Sequence, residues 1–96
     1  MSPLNKTKLK ILRNKIDNVD NSLIKLIKKR TTLVKKVLKI KETKKQIVDK
    51  TRIKKILRGI RNKSIKNYID PKITKRIWSN MIYAYIDFEK KNFRKK

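Results

Sequence analysis

Residues 8–41 read KLKILRNKIDNVDNSLIKLIKKRTTLVKKVLKIK, and this stretch decides the fold. Apolar residues recur along it in alternating steps of four and three positions, and neither glycine nor proline interrupts them. The heptad positions are Leu12, Ile16, Val19, Leu23, Leu26, Arg30, Leu33, Val37 and Ile40. Such a repeat is typical of one long helix with an apolar seam like that of a coiled coil. Arg30 is the only charged residue of this seam, and a guanidinium there suggests a binding site.

The composition limits the chemistry that the chain can perform. Its 96 residues suffice for a single small domain, residues 1–96, which often gains stability by pairing with a copy of itself. It has no cysteine and no histidine, and only seven acidic residues. Thiolate chemistry, disulfides, a paired-carboxylate hydrolase and a metal cage are therefore disfavoured, and we expect neither metal nor cofactor. No apolar run approaches the roughly 20 residues of a membrane span, and no apolar signal region is present, so we expect a cytoplasmic protein.

The net charge of +24 raises an alternative of another class, a basic helical module that binds nucleic acid. Lysine outnumbers arginine 24 to 7, however, and the lysines are spread over the whole chain. Recognition of bases and phosphates tends to favour the planar guanidinium. We therefore interpret most of the charge as a solvated surface that attracts anions, and expect no nucleic-acid partner.

Capping signals divide the chain into three helices. Asp49 can cap a second helix, and Asp70 is a cap that is followed by proline at the first helical position. The expected helices run from Pro3 (or a turn or two later) to about Thr43, from Lys50 to about Lys66 and from Pro71 to about Phe93, with a short connection at Lys44–Val48. No stretch shows strand alternation. The predicted fold class is all-α, with helices that are very long, short and long.

The two shorter helices cannot cover the seam of the first one. An intertwined homodimer, in which the two long helices run antiparallel or cross, would bury it. The second helix has its own apolar face, formed by Ile53, Ile56, Leu57 and Ile60. Gly59 lies inside this helix, where glycine costs about 1 kcal/mol relative to alanine. We interpret it as a place where another helix approaches closely.

Three cations are candidate ligands of a small anion. Arg30 and Lys41 are 11 residues apart, so on one helix they point within about 20° of each other and lie roughly 16 Å apart along the axis. Their long side chains could hold an anion with more than one acidic group, although both could also extend to solvent at the edge of the seam. Arg13 is about 42 Å from Lys41 along a straight helix and could reach the same ligand only from a partner chain.

The second and third helices supply further candidates. Arg52 lies in the first turn of the second helix, where a cation opposes the helix dipole, which suggests an outside partner. The third helix carries one row formed by Ile73, Ile77, Met81 and Phe88 and an adjacent one formed by Trp78, Ile82, Tyr85 and Glu89. Glu89 therefore points inward in this interpretation, where desolvation favours a neutral acid that can donate a hydrogen bond. Tyr85, one turn earlier, is a candidate substrate contact. The alternative for Glu89 is a surface position neutralised by neighbouring lysines.

The chain contains the pattern Leu12-Arg13-x-x-Ile16-Asp17-x-x-Asp20-x-x-Leu23-x-x-Leu26-x-x-x-Arg30, then Val34-x-x-Val37-x-x-x-Lys41, then Arg52. This pattern resembles the all-helical class of chorismate mutases, over about Leu9 to Phe93. The resemblance implies an intertwined dimer of three-helix protomers with two shared sites. It also implies the rearrangement of chorismate to prephenate, a pericyclic reaction that needs no nucleophile, base, metal or cofactor.

The resemblance also implies roles for individual residues. Arg30 and Lys41 would hold the substrate carboxylates, Lys41 would also reach the ether oxygen, and Arg13 would enter from the other protomer. Glu89 falls where many members have glutamine, so it would be the second donor to the ether oxygen when it is protonated. Arg52 would face the substrate at the start of the second helix.

At the ring hydroxyl of the substrate the chain departs from the family pattern. The resemblance places Asp49 near it, but the family usually has a glutamate directly after the helix-2 arginine, and this chain has Ile53 there. The related isochorismate–pyruvate lyases share the fold, lack this glutamate and have a similarly short connection between the positions of Lys41 and Arg52. Cleavage of isochorismate to salicylate and pyruvate is therefore the alternative activity.

Overall fold

A computed structural model describes residues 1–94 and confirms the all-α class, with no strand in that range. Helix α1 is Pro3–Ile40, a 3-10 turn is Lys44–Ile47, α2 is Lys50–Lys66 and α3 is Pro71–Asn92. The expected order of a very long, a short and a long helix is thus present. Contacts within the chain divide it into two units, residues 1–34 and the residues from 35 onward, and α1 contributes to both.

Helix α1 begins where the capping signal predicts and ends earlier than expected. The backbone N–H of Asn5 donates to the Ser2 hydroxyl at 3.2 Å, and Pro3 occupies the first helical position. The helix ends at Ile40, so the expected end near Thr43 is wrong by about one turn. Lys41 lies just beyond it, with its N–H still donating to the Val37 carbonyl at 3.3 Å.

The apolar seam of α1 is open in the single chain. No residue of α1 is buried, and the apolar seam residues of the first unit, from Leu12 to Leu33, are 48–62% exposed. Water contact with this much apolar surface is unfavourable by about 25 cal/mol per Å². Contiguous exposed apolar surface commonly marks an interaction site.

The second unit has a small apolar core where the turn and α3 meet. Ile47 is 3% exposed, and Ile82 and Ile86 are each 6% exposed. The partly buried residues packed against them are Leu38, Ile53, Ile56, Leu57 and Phe93. Three of the four residues predicted for the apolar face of α2 thus pack on this core. Ile86 belongs to neither predicted row of α3, yet it lies one turn after Ile82 on the same face.

Helices α2 and α3 are also joined by two buried hydroxyl groups that the apolar pattern did not indicate. Ser64 Oγ and Thr74 Oγ1 are 2.6 Å apart, and both residues are buried. Each hydroxyl also has a carbonyl acceptor within its own helix, Ile60 at 2.6 Å for Ser64 and Pro71 at 3.3 Å for Thr74, so either hydroxyl can be the donor between the pair. Buried polar groups need such partners, and this chain of hydrogen bonds ties the end of α2 to the start of α3.

The predicted caps of the two shorter helices are present. The Asp49 carboxylate accepts from the Arg52 N–H at 3.0 Å, and the Asp70 carboxylate accepts from the Lys72 N–H at 2.9 Å. Pro71 begins α3, as expected. None of the helices within residues 1–94 has the length and apolar character needed to cross a lipid bilayer.

The close helix approach inferred for Gly59 is wrong for the chain as described. A Cβ atom built at this position would meet nothing within 4 Å. The glycine therefore lowers the stability of the helix, and no other part of the same chain packs into the space that its missing side chain leaves.

We expect Gly59→Ala to stabilise the protein by up to about 1 kcal/mol, because alanine restricts the unfolded chain and fits the helix. Urea unfolding followed by circular dichroism measures the change. Ala84→Gly, at an exposed site inside α3, is the matched control and should cost a similar amount. A loss of stability in Gly59→Ala would contradict the prediction and place another chain against this position.

Candidate functional site

The site is built around an ion pair between residues 48 positions apart in the chain. Lys41 Nζ lies 3.2 Å from Glu89 Oε1. Lys41 follows the end of α1, and Glu89 lies in the last turns of α3 on the face that carries Ile82 and Ile86. Glu89 is only 6% exposed, so the predicted inward orientation is confirmed. The alternative of a surface glutamate neutralised by nearby lysines is wrong.

A buried carboxylate is uncommon in a chain with so few acids. Removing an ionised group from water is costly unless a partner and hydrogen bonds compensate, and the Lys41 ammonium supplies that partner here. Such pairs contribute less to stability than apolar groups of the same size would. The inward-facing Lys–Glu pair at the edge of the small core is therefore a candidate binding element.

Lys41 also lines an open hollow of about 570 Å³. Its lining residues are Ile40, Lys41, Lys45, Gln46, Val48, Asp49, Lys50 and Thr51. The volume lies within the roughly 300–1,000 Å³ that small-molecule sites occupy. Three lysines against one aspartate make the wall net positive, which suits a small anion.

The remaining predicted site residues of the second unit differ in their burial and contacts. Asp49 is exposed, lines the hollow and is committed through its carboxylate to capping α2. Arg52 is exposed in the first turn of α2. Tyr85 is partly buried on α3, one turn before Glu89. Ile53 packs against the core, so the position after Arg52 serves packing here.

Arg13 and Arg30 belong to the first unit. Arg13 is exposed, and Arg30 is partly buried within α1. The structure therefore brings together Lys41 and Glu89, and it places Asp49 beside the hollow that Lys41 lines. The part of the chain that the structure describes contains no group of three His, Cys, Asp or Glu side chains able to hold a metal ion.

Gln46 is a residue of this region that the sequence interpretation missed. Its side-chain carbonyl accepts two backbone hydrogen bonds, from the N–H of Glu42 at 2.6 Å and from the N–H of Thr43 at 3.1 Å. A threonine followed three residues later by glutamine is the sequence signature of a capping box, and it begins the 3-10 turn here. This signal was available in the sequence, but the stretch was interpreted as a plain connection.

The ion pair predicts a specific pattern of stabilities. Lys41→Ala should cost about 1–3 kcal/mol, because it leaves the buried Glu89 carboxylate without its partner. Adding Glu89→Gln to that variant should recover most of the loss, since a neutral amide is cheaper to bury than a charge.

Urea unfolding of the two single variants, the double variant and the wild type measures the coupling energy of the pair. Lys44→Ala, on the exposed side of the same segment, is the control and should change stability by less than about 0.5 kcal/mol. Equal stabilities of Lys41→Ala and the wild type would show that the pair contributes nothing to the folded protein.

Comparison with known protein families tests the resemblance that the sequence pattern indicated. The family model described as chorismate mutase type II matches residues 12–90. No curated protein and no solved structure matches the chain at a significant level. The matched range includes the seam of α1, Lys41, the whole of α2 and α3 as far as Lys90, which takes in Glu89. Because the match covers most of the 96 residues, the chain belongs to the chorismate mutase type II family.

Proposed function

We propose that the protein is a chorismate mutase that rearranges chorismate to prephenate in a homodimer with two shared sites. Membership of the family supports an isomerase of this kind. The single observation that carries the proposal is the partly buried contact between Lys41 and Glu89. It sets a cation and a carboxyl group side by side at the edge of the core, where a small polar substrate could displace their mutual hydrogen bond.

The reaction is intramolecular, so the site has to restrict the substrate and stabilise charge. The enolpyruvyl arm must fold over the ring, and negative charge must be accommodated on the ether oxygen as the C–O bond breaks. Lys41 would donate to that oxygen and to a carboxylate of the substrate. Arg30 would hold the substrate carboxylates, and the field of the basic surface would raise the local concentration of the dianion.

Glu89 would be the second donor to the ether oxygen. A carboxyl group can donate only in its neutral form, and an ionised carboxylate would repel the charge that develops there. The ion pair with Lys41 is then the resting arrangement. Substrate would draw the ammonium toward itself, and the Glu89 carboxylate would take up one proton from solvent to become the donor.

Incubation of the purified protein with chorismate and with isochorismate, in separate reactions, tests the proposal. Prephenate from chorismate is the expected product, whereas salicylate plus pyruvate from isochorismate would establish the lyase activity instead. Turnover of neither substrate would overturn both assignments.

The same assay tests the donor role of Glu89. Glu89→Gln should keep activity, because its amide can donate to the ether oxygen in place of the carboxyl group, whereas Glu89→Ala should lose activity because it offers no donor. Equal activity of Glu89→Ala and the wild type would exclude Glu89 as the donor.

The lyase alternative is retained because of one specific position. Ile53 stands where the family resemblance places a glutamate that contacts the ring hydroxyl, and it packs against the core. The pocket consequently lacks a carboxylate at this position for reading the hydroxyl on the ring. Chorismate and isochorismate differ in the placement of that hydroxyl, so this substitution bears on which of them is accepted.

The homodimer is proposed from the open seam. The apolar residues of α1 from Leu12 to Leu33 need a covering surface, and a second copy of the same helix offers a matching one. In an intertwined arrangement Arg13 of one protomer would complete the site that holds Lys41 of the other.

Mixing two inactive variants tests both the dimer and the shared site. We expect Arg13→Ala and Lys41→Ala each to lose at least about 100-fold in kcat/KM. After denaturation and refolding together in equal amounts, half the dimers combine the two variants. Each such dimer has one intact site, so about a quarter of the wild-type activity should return.

The control for this experiment is a mixture of Lys41→Ala with Arg30→Ala. Both residues would serve the same site from one protomer, so each site in a mixed dimer lacks one of them and activity should stay low. Recovery in the control, or none in the first mixture, would contradict the placement of Arg13 in the partner's site.

A further inference from the structure

We propose that Gln46 is a positioning residue, which holds the connector (residues 41–49) in the conformation that keeps the Lys41 ammonium beside Glu89. The catalytic meaning of this inference rests on the proposed function of Lys41. The structural part of the inference, that Gln46 fixes the Lys41–Glu89 contact, is independent of the proposed function. Gln46 itself lies beside the hollow and acts on the reaction through Lys41.

The Gln46 side chain ties the connector to itself directly after Lys41. Its Oε1 accepts from the backbone N–H groups of Glu42 and Thr43 at 2.6 and 3.1 Å. The backbone N–H of Gln46 donates to the Thr43 carbonyl at 3.2 Å. The two residues that follow Lys41 are thereby joined to the 3-10 turn by three hydrogen bonds. Two of these bonds are made by the Gln46 side chain and the third by its backbone N–H.

The turn is in turn anchored to the core and to α2. Ile47, the next residue, is 3% exposed and packs with Ile82 and Ile86 of α3. Asp49, at the other end of the connector, caps α2. Leu38 holds the backbone on the other side of Lys41, because it packs against the same core. Gln46 is therefore the link on the C-terminal side between a fixed point on α3 and the backbone that carries Lys41. Glu89 lies on the same helix, so α3 both carries Glu89 and anchors the connector that positions Lys41.

A lysine at this position depends more on a fixed backbone than an arginine would. Its long stem carries about 2 kcal/mol of rotamer entropy, and its ammonium is a point charge without a fixed fork of donors. A backbone that moves by even a small amount would let the ammonium leave Glu89 or miss a reacting oxygen. Water can replace the lost hydrogen bonds of exposed N–H groups, so the contribution of Gln46 is to geometry more than to global stability.

The test compares Gln46→Met, which keeps the length of the side chain and removes the acceptor, with Gln46→Glu, which keeps acceptor oxygens. Lys44→Ala in the same turn is the control. The measurements are amide hydrogen exchange at Glu42 and Thr43, the Lys41–Glu89 coupling from double-mutant cycles in each background, and kcat and KM with chorismate and with isochorismate.

We expect Gln46→Met to speed exchange at both amides by about tenfold, to weaken the Lys41–Glu89 coupling and to lower kcat at least tenfold with a smaller change in KM. Gln46→Glu should restore all three quantities to within a few-fold of the wild type, and Lys44→Ala should leave them unchanged. Should Gln46→Met fail to fold, Gln46→Ala takes its place in the same comparison.

Unchanged exchange at Glu42 and Thr43 in the folded variant would overturn the inference, and so would faster exchange with an unchanged Lys41–Glu89 coupling. Faster exchange and weaker coupling with an unchanged kcat would likewise overturn the positioning role. If the wild type turns over neither substrate, the proposed function fails, whereas exchange and coupling still decide whether Gln46 fixes Lys41.

Discussion

The packing of Ile47 against Ile82 and Ile86 is the interaction on which the second unit depends. It joins the 3-10 turn to α3. The segment that follows α1 therefore lies close to the last turns of α3. Lys41 and Glu89 meet as a consequence, although they are far apart in the chain. With only three apolar residues buried in the range that the structure describes, the site and the core share the same few contacts. A small domain has little apolar burial with which to offset such an ion pair.

The large positive charge and the buried acid have different physical roles. Lys41 is one of 31 cationic residues, and its distinction is its position beside a buried carboxylate. Exposed charges are screened by salt within about 10 Å, so the remaining cations act mainly through the summed field of the surface. Partly buried charges are screened much less. The net charge thus favours anionic ligands in general, while the few cations in defined surroundings decide which anion is held and how.

The seam of α1 and the core of the second unit show two levels of organisation. The core is closed within one chain, whereas the apolar residues of the seam remain exposed. A second copy covering the seam, as proposed, would make stability depend on protein concentration. Folding and completion of the site would then be coupled, because the helix that supplies the interface also carries Arg13 and Arg30. The cost of placing polar groups in an apolar seam would be offset by binding rather than by packing.

The sequence by itself determined the elements that depend on neighbours in the chain. The three helices, the Asp49 and Asp70 caps and the inward row that ends in Glu89 follow from periodicity and capping, because these signals act within one or two turns. The heptad motif and its spacing to Lys41 also sufficed to indicate the family. Two details were mistaken. The end of α1 was placed too late because the local capping signal of Thr43 and Gln46 was interpreted as a plain connection, and the reason for Gly59 could not be predicted because it depends on what lies nearby in space.

Only the tertiary structure decided which distant residues meet. It paired Lys41 with Glu89, added Ile86 to the core and joined the Ser64 and Thr74 hydroxyls. Periodicity indicates which face of a helix is apolar, but the partner of each residue on that face depends on how the elements pack. That packing is set by contacts between segments that no local pattern relates.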